Sequence, residues 1–260
     1  MIDTVIQGDC LDVMADMPDE CVDLVVTSPP YDNLRSYHGY TLDVPAMVEQ
    51  FKRIMKPGGV IVWVVGDATV KGSETGTSFR QALMFMDAGF NLHDTMIYEK
   101  LNPIPQTHNR YEQSYEYMFV FSKGKPNTFN ALTEPTIRSG KRERLHGRTV
   151  LADNACRRPR ALGDDLIIKP EKYRRNIFAY GIGGETSGHP APFPEQLAAD
   201  HIISWSNEGD LVFDPMCGSG TTLKMAERLN RHWYGCDISL EYCEIARERI
   251  RIEQAQLKLW

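Results

Sequence analysis

Short apolar runs recur along the chain and are separated by longer amphipathic segments. Such runs are typical of buried strands, and they predict strands at residues 4–7, 22–27, 60–65, 92–100, 115–123, 211–215 and 232–237. Apolar residues with helical spacing predict helices at residues 44–55, 77–87, 193–205, 219–229 and 239–256. This alternation indicates parallel strands joined by crossover helices. The fold class expected is therefore α/β, with a doubly wound and mostly parallel sheet.

A basic segment at residues 123–175 interrupts this alternation. It has many turn residues and little periodicity, and it carries 14 Lys and Arg against 6 Asp and Glu. Its balance is +8, whereas the rest of the chain carries −14 and the whole chain −6. Such separation favours one basic face on an acidic body; a solvated loop is the alternative. We expect an irregular basic insertion in the sheet.

Length and composition are those of an ordinary soluble protein. The 260 residues, 42% hydrophobic and 25% charged, are enough for a complete α/β core. The longest apolar runs are too short to cross a membrane, and the N-terminus does not resemble a signal peptide. We therefore expect a cytoplasmic protein. The cysteines are not spaced like zinc ligands, which favours reduced thiols and no metal site at Cys10, Cys21, Cys156, Cys217, Cys236 and Cys243.

The stretch "LVFDPMCGSGTTLKMAERL" predicts a strand, a tight turn and a helix. Gly218 and Gly220 allow the backbone to turn sharply and to approach a ligand closely. The N-terminus of the helix that follows suits a carboxylate or a phosphate. Asp237 ends the next predicted strand, where an acid accepts hydrogen bonds from both ribose hydroxyls of a nucleoside. Together these features predict a nucleoside-containing cofactor.

The same turn favours S-adenosylmethionine over NAD. The third position of a dinucleotide fingerprint is Leu223 here rather than Gly. Asp214 stands before the turn, where it would face a cationic ammonium group and repel a pyrophosphate. Each aspartate also has a simpler role at this point. Asp214 could form a turn together with Pro215, and Asp237 could cap the following helix.

The stretch "TSPPY" ends the predicted strand at residues 22–27. Pro29 and Pro30 have no backbone N–H group, so the strand cannot continue through them. The corner offers carbonyl oxygens, the hydroxyl of Ser28 and the ring of Tyr31. It is suited to a group that needs hydrogen-bond acceptors and a stacking surface.

"TSPPY" followed far downstream by "DPMCGSGTT" resembles the β subclass of DNA amino-methyltransferases, which methylate N4 of cytosine or N6 of adenine. The similarity spans nearly the whole chain. It includes "IQGDCLDVMADMPDECVDLVVTSPPY", "LNPIPQTHNRYEQSYEYMFVFSK", which resembles the target-pocket strand pair, and "HPAPFPEQL". The resemblance implies an S-adenosylmethionine-dependent (Rossmann-like) methyltransferase acting on double-stranded DNA.

The resemblance also implies a set of cofactor-binding residues, in which Asp9 binds the adenine, Asp237 the ribose and the Gly-rich turn the methionine end. Simpler roles are a helix cap for Asp9, a loop histidine for His189 and a core residue for Phe193. The full set is Asp9, Cys10, His189, Phe193, Asp214, Pro215, Cys217, Gly218, Ser219, Gly220, Thr221 and Asp237.

Catalysis is implied at Ser28, Pro29, Pro30 and Tyr31. An exocyclic amine is a poor nucleophile because its lone pair is delocalised into the ring. The Ser28 side chain and the Pro29 carbonyl would accept from its two N–H bonds and localise that pair. Tyr31 would stack on the base after it leaves the duplex. Serine at the first of these positions is commoner in cytosine-N4 enzymes of the family, so cytosine N4 is preferred over adenine N6.

The variable recognition region of the subclass coincides with the basic insertion. The resemblance divides the chain into a catalytic half at 1–122, a target-recognition insertion at 123–175 and a cofactor-binding half at 176–260. A homodimer and a cognate restriction endonuclease are further partners that it suggests, in a prokaryotic or phage setting. Expected DNA contacts are Arg142, Arg144, Arg148, Arg157, Arg158 and Arg160.

Three other functions compete with this interpretation. A nicotinamide oxidoreductase would use the same kind of fold, but the third glycine of its fingerprint is missing. A DNA-binding module without activity would have no need of an intact SPPY corner and Gly-rich turn. A protein methyltransferase is disfavoured by the order of the motifs and by the basic insertion.

Overall fold

The computed structural model describes residues 2–30, 42–103, 105, 109–137, 142–144, 150–152, 156–158, 165–167, 169–181 and 194–257, with only the backbone described between 142 and 167. The chain forms two compact units. The first comprises Met1–Asn130 and Asn176–Trp260, and the second comprises Ala131–Arg175. Within the described residues, no helix is long and apolar enough to cross a membrane.

The first unit contains an eight-stranded sheet. Its strands are β1 (Thr4–Gln7), β2 (Val22–Thr27), β3 (Met55–Val65), β4 (Asn91–Lys100), β5 (Tyr115–Ser122), β6 (Ile177–Tyr180), β7 (Leu211–Asp214) and β8 (His232–Asp237). Their order across the sheet is β1-β8-β7-β2-β3-β5-β4-β6. Only β5 is antiparallel to its neighbours, β3 and β4. The connection from β4 to β5 contains no helix among its described residues, whereas a parallel return needs a longer crossover.

Six helices accompany the sheet in the described part of the first unit. They are α1 (Cys10–Ala15), α2 (Val44–Ile54), α3 (Thr77–Asp87), α4 (Glu195–Trp205), α5 (Thr221–Arg228) and α6 (Leu240–Leu257). Asp43 caps α2 by accepting a hydrogen bond from the N–H of Ala46. Pro194 immediately precedes α4 and has no N–H to leave unpaired at that end.

An aromatic cluster fills the core beside β3. Trp63 lies against Phe51 and Phe85, with ring centroids 6.2 and 5.2 Å apart, and Phe85 stacks on Phe121 at 4.4 Å. All four side chains are fully buried. The indole N–H of Trp63 donates to Gln81 Oε1 at 2.8 Å, so its one polar group is satisfied. This core holds the central strands, from whose ends the functional groups project.

The fold class predicted from the sequence is confirmed, and every strand predicted from the apolar runs is present. The sequence analysis missed α1 and β6. Helix α1 has six residues and β6 has four, too few to display a period. β6 nevertheless pairs in parallel with β4, which makes it the edge strand of the sheet.

The insertion is more regular than the sequence indicates. Its strands pair antiparallel in nested order: Thr133–Pro135 with Glu171–Tyr173, Arg142–Arg144 with Asp165–Ile167, and Val150–Ala152 with Cys156–Arg158. Each pairing forms a two-stranded sheet of its own among the described residues. Each strand has three residues, so no alternation could be recognised.

The insertion also begins later than the charge pattern suggests. Residues 123–130, which that pattern groups with it, belong to the first unit. There Asn127 Nδ2 donates to Pro57 O at 2.6 Å, and the N–H of Asn130 donates to Ser204 O at 2.8 Å. The compact unit therefore starts at Ala131.

Candidate active site

Four adjacent parallel strands, β1, β8, β7 and β2, bring their carboxyl ends to one edge of the sheet. Asp9 follows β1, Asp237 ends β8, Asp214 ends β7, and Ser28 follows β2. Ligands of open α/β sheets bind at this kind of edge. The fold thus collects on one side residues that are up to 228 positions apart in the sequence.

Asp237 connects β8 to the Gly-rich loop between β7 and α5. Its carboxylate accepts from the N–H of Gly218 at 3.0 Å and from the N–H of Ser239 at 2.9 Å. Its carbonyl accepts from the N–H of Gly8 at 3.0 Å. The side chain is partly exposed at the carboxyl end of the strand. It therefore holds the loop in place, and it lies at the carboxyl end of its strand, where ligands of open α/β sheets bind.

Asp9 is the N-cap of α1, the simpler of its two predicted roles. Its carboxylate accepts from the N–H of Leu11 at 2.8 Å. Cys10 behind it is buried, and this burial, together with the neighbouring carboxylate of Asp9, raises the pKa of the thiol to about 12. Cys10 is thus an uncharged packing residue beside the site, while the contact of Asp9 with adenine stays a prediction.

Asp214 is a buried carboxylate that joins the two key motifs. It is 1% exposed, and it accepts from Thr27 Oγ1 at 2.7 Å and from the N–H of Met216 at 3.1 Å. Burial raises its pKa to about 6, although the hydrogen bonds from Thr27, Met216 and Thr222 oppose that rise. The bond to Met216 forms the turn expected of Asp-Pro. An approaching cation would favour the charged form of this acid.

The Gly-rich loop requires glycine for two reasons. Gly218 and Gly220 have φ angles of 48° and 78°, in the left-handed region that other residues adopt at a cost. A Cβ atom on Gly220 would also lie 2.7 Å from the Cβ of Ala246 on α6. The loop therefore lies directly against α6, and α5 begins at Thr221 with its first N–H groups at the edge of the sheet.

The rest of the loop is fixed by the neighbouring strand. The N–H of Cys217 donates to Cys236 O at 2.9 Å, and the thiol of Cys236 lies 3.1 Å from Pro215 O. Burial raises the pKa of the Cys217 and Cys236 thiols well above their usual range. These thiols are therefore protonated and poor nucleophiles.

A second hydrogen bond ties the SPPY corner to the loop. Thr222 Oγ1, in the first turn of α5, donates to Val26 O at 3.1 Å, one residue before Thr27. Ser28 and Pro30 are partly exposed just beyond this point, and Pro29 is buried. Sequence reasoning missed Thr27 and Thr222, since their partners are 187 and 196 residues away.

Five of the predicted site residues lie outside the described residues: Tyr31, His189, Phe193, Arg148 and Arg160. The backbone at Arg142, Arg144, Arg157 and Arg158 is in the paired strands of the insertion. Among residues whose side chains are described, no three His, Cys, Asp or Glu groups are placed to hold a metal ion.

Comparisons with known proteins identify the family to which the chain belongs. The family described as DNA methylase, of the N6 and N4 methyltransferase type, matches residues 22–248. The orphan methyltransferase M.BamHII of Bacillus amyloliquefaciens is 50% identical over 240 residues, which cover 88% of this chain and 89% of that protein. The type II methyltransferase M.BglII of Bacillus subtilis is 26% identical over 256 residues, covering 94% of this chain and 68% of its own.

Solved structures give the same result. TTHA0409 of Thermus thermophilus, a putative DNA modification methylase in complex with S-adenosyl-L-methionine, superposes with a TM-score of 0.66 at 26% identity, covering 96% of this chain and 93% of that one. The PvuII DNA methyltransferase (cytosine-N4-specific) superposes with a TM-score of 0.68 at 23% identity, covering 94% and 85%. The second likeness concerns the fold alone.

The chain therefore belongs to the DNA methylase family of N4-cytosine and N6-adenine methyltransferases. It is an S-adenosylmethionine-dependent enzyme whose substrate is DNA. The nicotinamide oxidoreductase and the inactive binding module are thereby set aside. The residues present fit this cofactor: carboxylates at the ends of β7 and β8 suit a cation and ribose hydroxyls, and the start of α5 suits a carboxylate.

Proposed function

We propose that the enzyme methylates the exocyclic N4 atom of cytosine in double-stranded DNA, and that the SPPY corner is its catalytic centre. The observation that supports this site is the 2.7 Å hydrogen bond from Thr27 to Asp214. It fixes the residue before Ser28 to the strand that leads into the Gly-rich loop. The acceptor amine and the methyl donor would then meet at one edge of the sheet.

The corner activates the amine through acceptors alone. The Ser28 side chain and the Pro29 carbonyl accept from the two amine N–H bonds, which localises the nitrogen lone pair for attack. Pro29 and Pro30 present no N–H group that would compete for this lone pair. Such preorganised groups contribute about 3 kcal/mol each to stabilising a transition state. When bound, S-adenosylmethionine would supply a methyl group activated by its sulfonium charge, and the amine nitrogen that accepts this group would lose one of its two protons.

The preference for cytosine depends on Ser28, because aspartate at this position is commoner in adenine-N6 enzymes of the family. The test is to methylate a plasmid of mixed sequence, digest it to nucleosides and identify the methylated species by mass. We expect N4-methylcytosine, and a reaction without S-adenosylmethionine is the control. N6-methyladenine as the main product would overturn the choice of base and leave the enzyme class intact.

We infer that residues 131–175 recognise the DNA sequence. The nested antiparallel pairing supports this, since a two-stranded ribbon fits the major groove of B-DNA. The positive balance of the segment suits contacts with phosphates. The test is to replace this unit by that of a relative with a different recognition sequence, after which the methylated sequence should follow the exchanged unit.

A homodimer is the second partner proposed, and exposed apolar residues on α3 support it. Phe79, Leu83 and Met86 are 52%, 56% and 45% exposed and recur at helical spacing. Light scattering should give twice the 29.6 kDa of one chain, and Leu83→Glu should yield monomers. A monomeric parent protein at micromolar concentration would exclude this dimer.

The setting of the enzyme is proposed from its relatives. M.BglII is a type II methyltransferase, which supports a cognate restriction endonuclease, whereas M.BamHII is an orphan, which supports its absence. The test is to challenge DNA carrying the methylated site with nuclease activity from the source cells. A cytoplasmic location follows from the substrate and would be checked by cell fractionation.

A further inference from the structure

Arg249 on α6 donates three hydrogen bonds to the Gly-rich loop. Its Nη1 atom lies 2.7 Å from Ser219 O, 3.0 Å from Ser219 Oγ and 3.3 Å from Thr221 Oγ1. Ser219 and Thr221 are 2% and 4% exposed, so these bonds are largely shielded from water. Shielded, charge-assisted hydrogen bonds of this type are stronger than bonds between neutral groups. The hydroxyl of Ser219 is thus directed to Arg249.

The loop depends on such outside contacts. Gly218 and Gly220 have no side chains, and Gly220, at the N-cap of α5, makes no side-chain capping bond. Glycine also has the largest backbone freedom to lose when it is ordered. Asp237 restrains the loop at Gly218 from one side. Arg249, on α6, restrains it at the next residue, Ser219. The two charged groups therefore hold the turn from two sides.

Glu195 holds Arg249 in position. Its Oε1 atom accepts from Arg249 Nη2 at 2.8 Å and from Lys224 Nζ at 2.7 Å. Glu195 is the first residue of α4, and Lys224 lies in α5. A second pair in the same cluster joins Arg228 to Glu253, with both distances 2.6 Å. Arg228 Nη1 also lies 3.8 Å from Glu195 Oε2, whereas the hydrogen bonds to Ser219 and Thr221 described above come from Arg249. Arg228 therefore serves as a control for the loss of a positive charge from the same cluster.

We propose that Arg249 is a positioning residue for S-adenosylmethionine binding: through Ser219 and Thr221 it keeps the loop and the first turn of α5 in their binding conformation. This proposal depends on the proposed assignment of the Gly-rich loop to the cofactor. Arg249 lies one residue beyond the part of the chain that the family model matches.

The test compares Arg249→Met with Arg228→Met. Calorimetry measures the Kd of S-adenosylmethionine, and thermal unfolding reports stability. We expect Arg249→Met to raise the Kd about tenfold, which corresponds to the loss of about 1.4 kcal/mol. Arg228→Met should lower the unfolding temperature comparably but change the Kd less than about twofold. Single-turnover methyl transfer at saturating cofactor should stay near the parent rate for Arg249→Met, since only binding is affected.

Arg249→Lys keeps the charge but presents its donors on a single nitrogen, so it should bind the cofactor with an affinity between those of the parent and Arg249→Met. It also tests the proposal if Arg249→Met does not fold. An unchanged Kd in both Arg249 variants, or an equal rise in Arg228→Met, would show that Arg249 has only a structural role. Asp237→Ala distinguishes a failure of this proposal from a failure of the proposed cofactor site, because it releases Gly218 from the other side. If it too leaves the Kd unchanged, the assignment of the loop to the cofactor is wrong.

Discussion

The hydroxyl of Thr27 donates a 2.7 Å hydrogen bond to the buried carboxylate of Asp214, although the two residues are 187 positions apart. Thr27 immediately precedes the SPPY corner, and Asp214 immediately precedes the Gly-rich loop. One contact therefore ties the SPPY corner, the proposed site of the accepting base, to the Gly-rich loop, the proposed site of the methyl donor.

Thr27→Val should lower the free energy of unfolding by about 1–3 kcal/mol, because it removes a donor from a buried carboxylate while keeping nearly the same shape. Urea denaturation at pH 7 measures this change. Thr27→Ser keeps the hydroxyl and is the control. A larger loss in Thr27→Ser than in Thr27→Val would mean that the methyl group of Thr27, rather than its hydroxyl, stabilises the fold.

Two buried groups should give opposite pH dependences of stability. Burial raises the pKa of Asp214 from 3.8 to about 6, so between these values the folded state holds a proton that the unfolded state has released, and stability falls as the pH rises. Burial lowers the pKa of His201 from 6.5 to about 4, so this group makes stability fall as the pH drops through that window. Each pKa shift changes the free energy of unfolding by about 3 kcal/mol across its pH window.

Single variants should separate these effects. The difference in stability between His201→Gln and the parent protein should move in favour of the variant as the pH is lowered from 6.5 to 4. The difference for Asp214→Asn should move against the variant as the pH is lowered from 6 to 4. Urea unfolding at intervals of half a pH unit gives the two difference curves. A flat difference curve for His201→Gln would show that this histidine titrates normally in the folded protein.

Asp237→Ala should weaken S-adenosylmethionine binding by about 1–3 kcal/mol, since it would remove the proposed acceptors of the ribose hydroxyls and also releases Gly218. Calorimetry measures the affinity. Asp3→Ala is a suitable control, because Asp3 pairs with His232 at the opposite end of β8. An unchanged affinity in Asp237→Ala would refute the ribose assignment.

Ser28→Ala should lower kcat about 100-fold or more while DNA and cofactor binding barely change, because an acceptor used in the transition state is lost. Single-turnover kinetics prevent product release from masking the chemistry. Tyr31→Phe, which keeps a stacking ring, should retain substantial activity, whereas Tyr31→Ala should lose both binding and turnover. Near-normal transfer by Ser28→Ala would show that the Pro29 carbonyl suffices.

Reversal of Arg157, Arg158 and Arg160 to Glu should weaken DNA binding, make it less sensitive to salt and leave cofactor affinity intact. Fluorescence anisotropy at several salt concentrations provides both the affinity and the salt slope. Reversal of Lys71, Arg80 and Lys125, which lie in the other unit, controls for the change in net charge. If binding survives at moderate salt, the basic cluster is only a solvated surface.

The sequence predicted the sheet and the placement of Asp214 and Asp237 because long apolar runs and a Gly-rich turn are local signals. It did not predict the direction of β5 or the existence of β6, which depend on pairing partners distant in sequence. Thr27, Thr222 and Arg249 were missed for the same reason. A threonine before a corner and an arginine in a polar helix look ordinary until the fold brings their partners to them.

The pairing of Thr133 with Tyr173 closes the insertion at its base, where the N–H of Arg174 also donates to Leu132 O at 2.9 Å. The polypeptide thus enters and leaves the insertion at neighbouring positions, as in a stem that carries a loop. The stretch beyond the stem can change in length or content without altering the register of the main sheet. Under the proposed recognition role, it is in evolutionary terms an exchangeable cassette, in which a new target sequence would require mutations in only one short region of the gene.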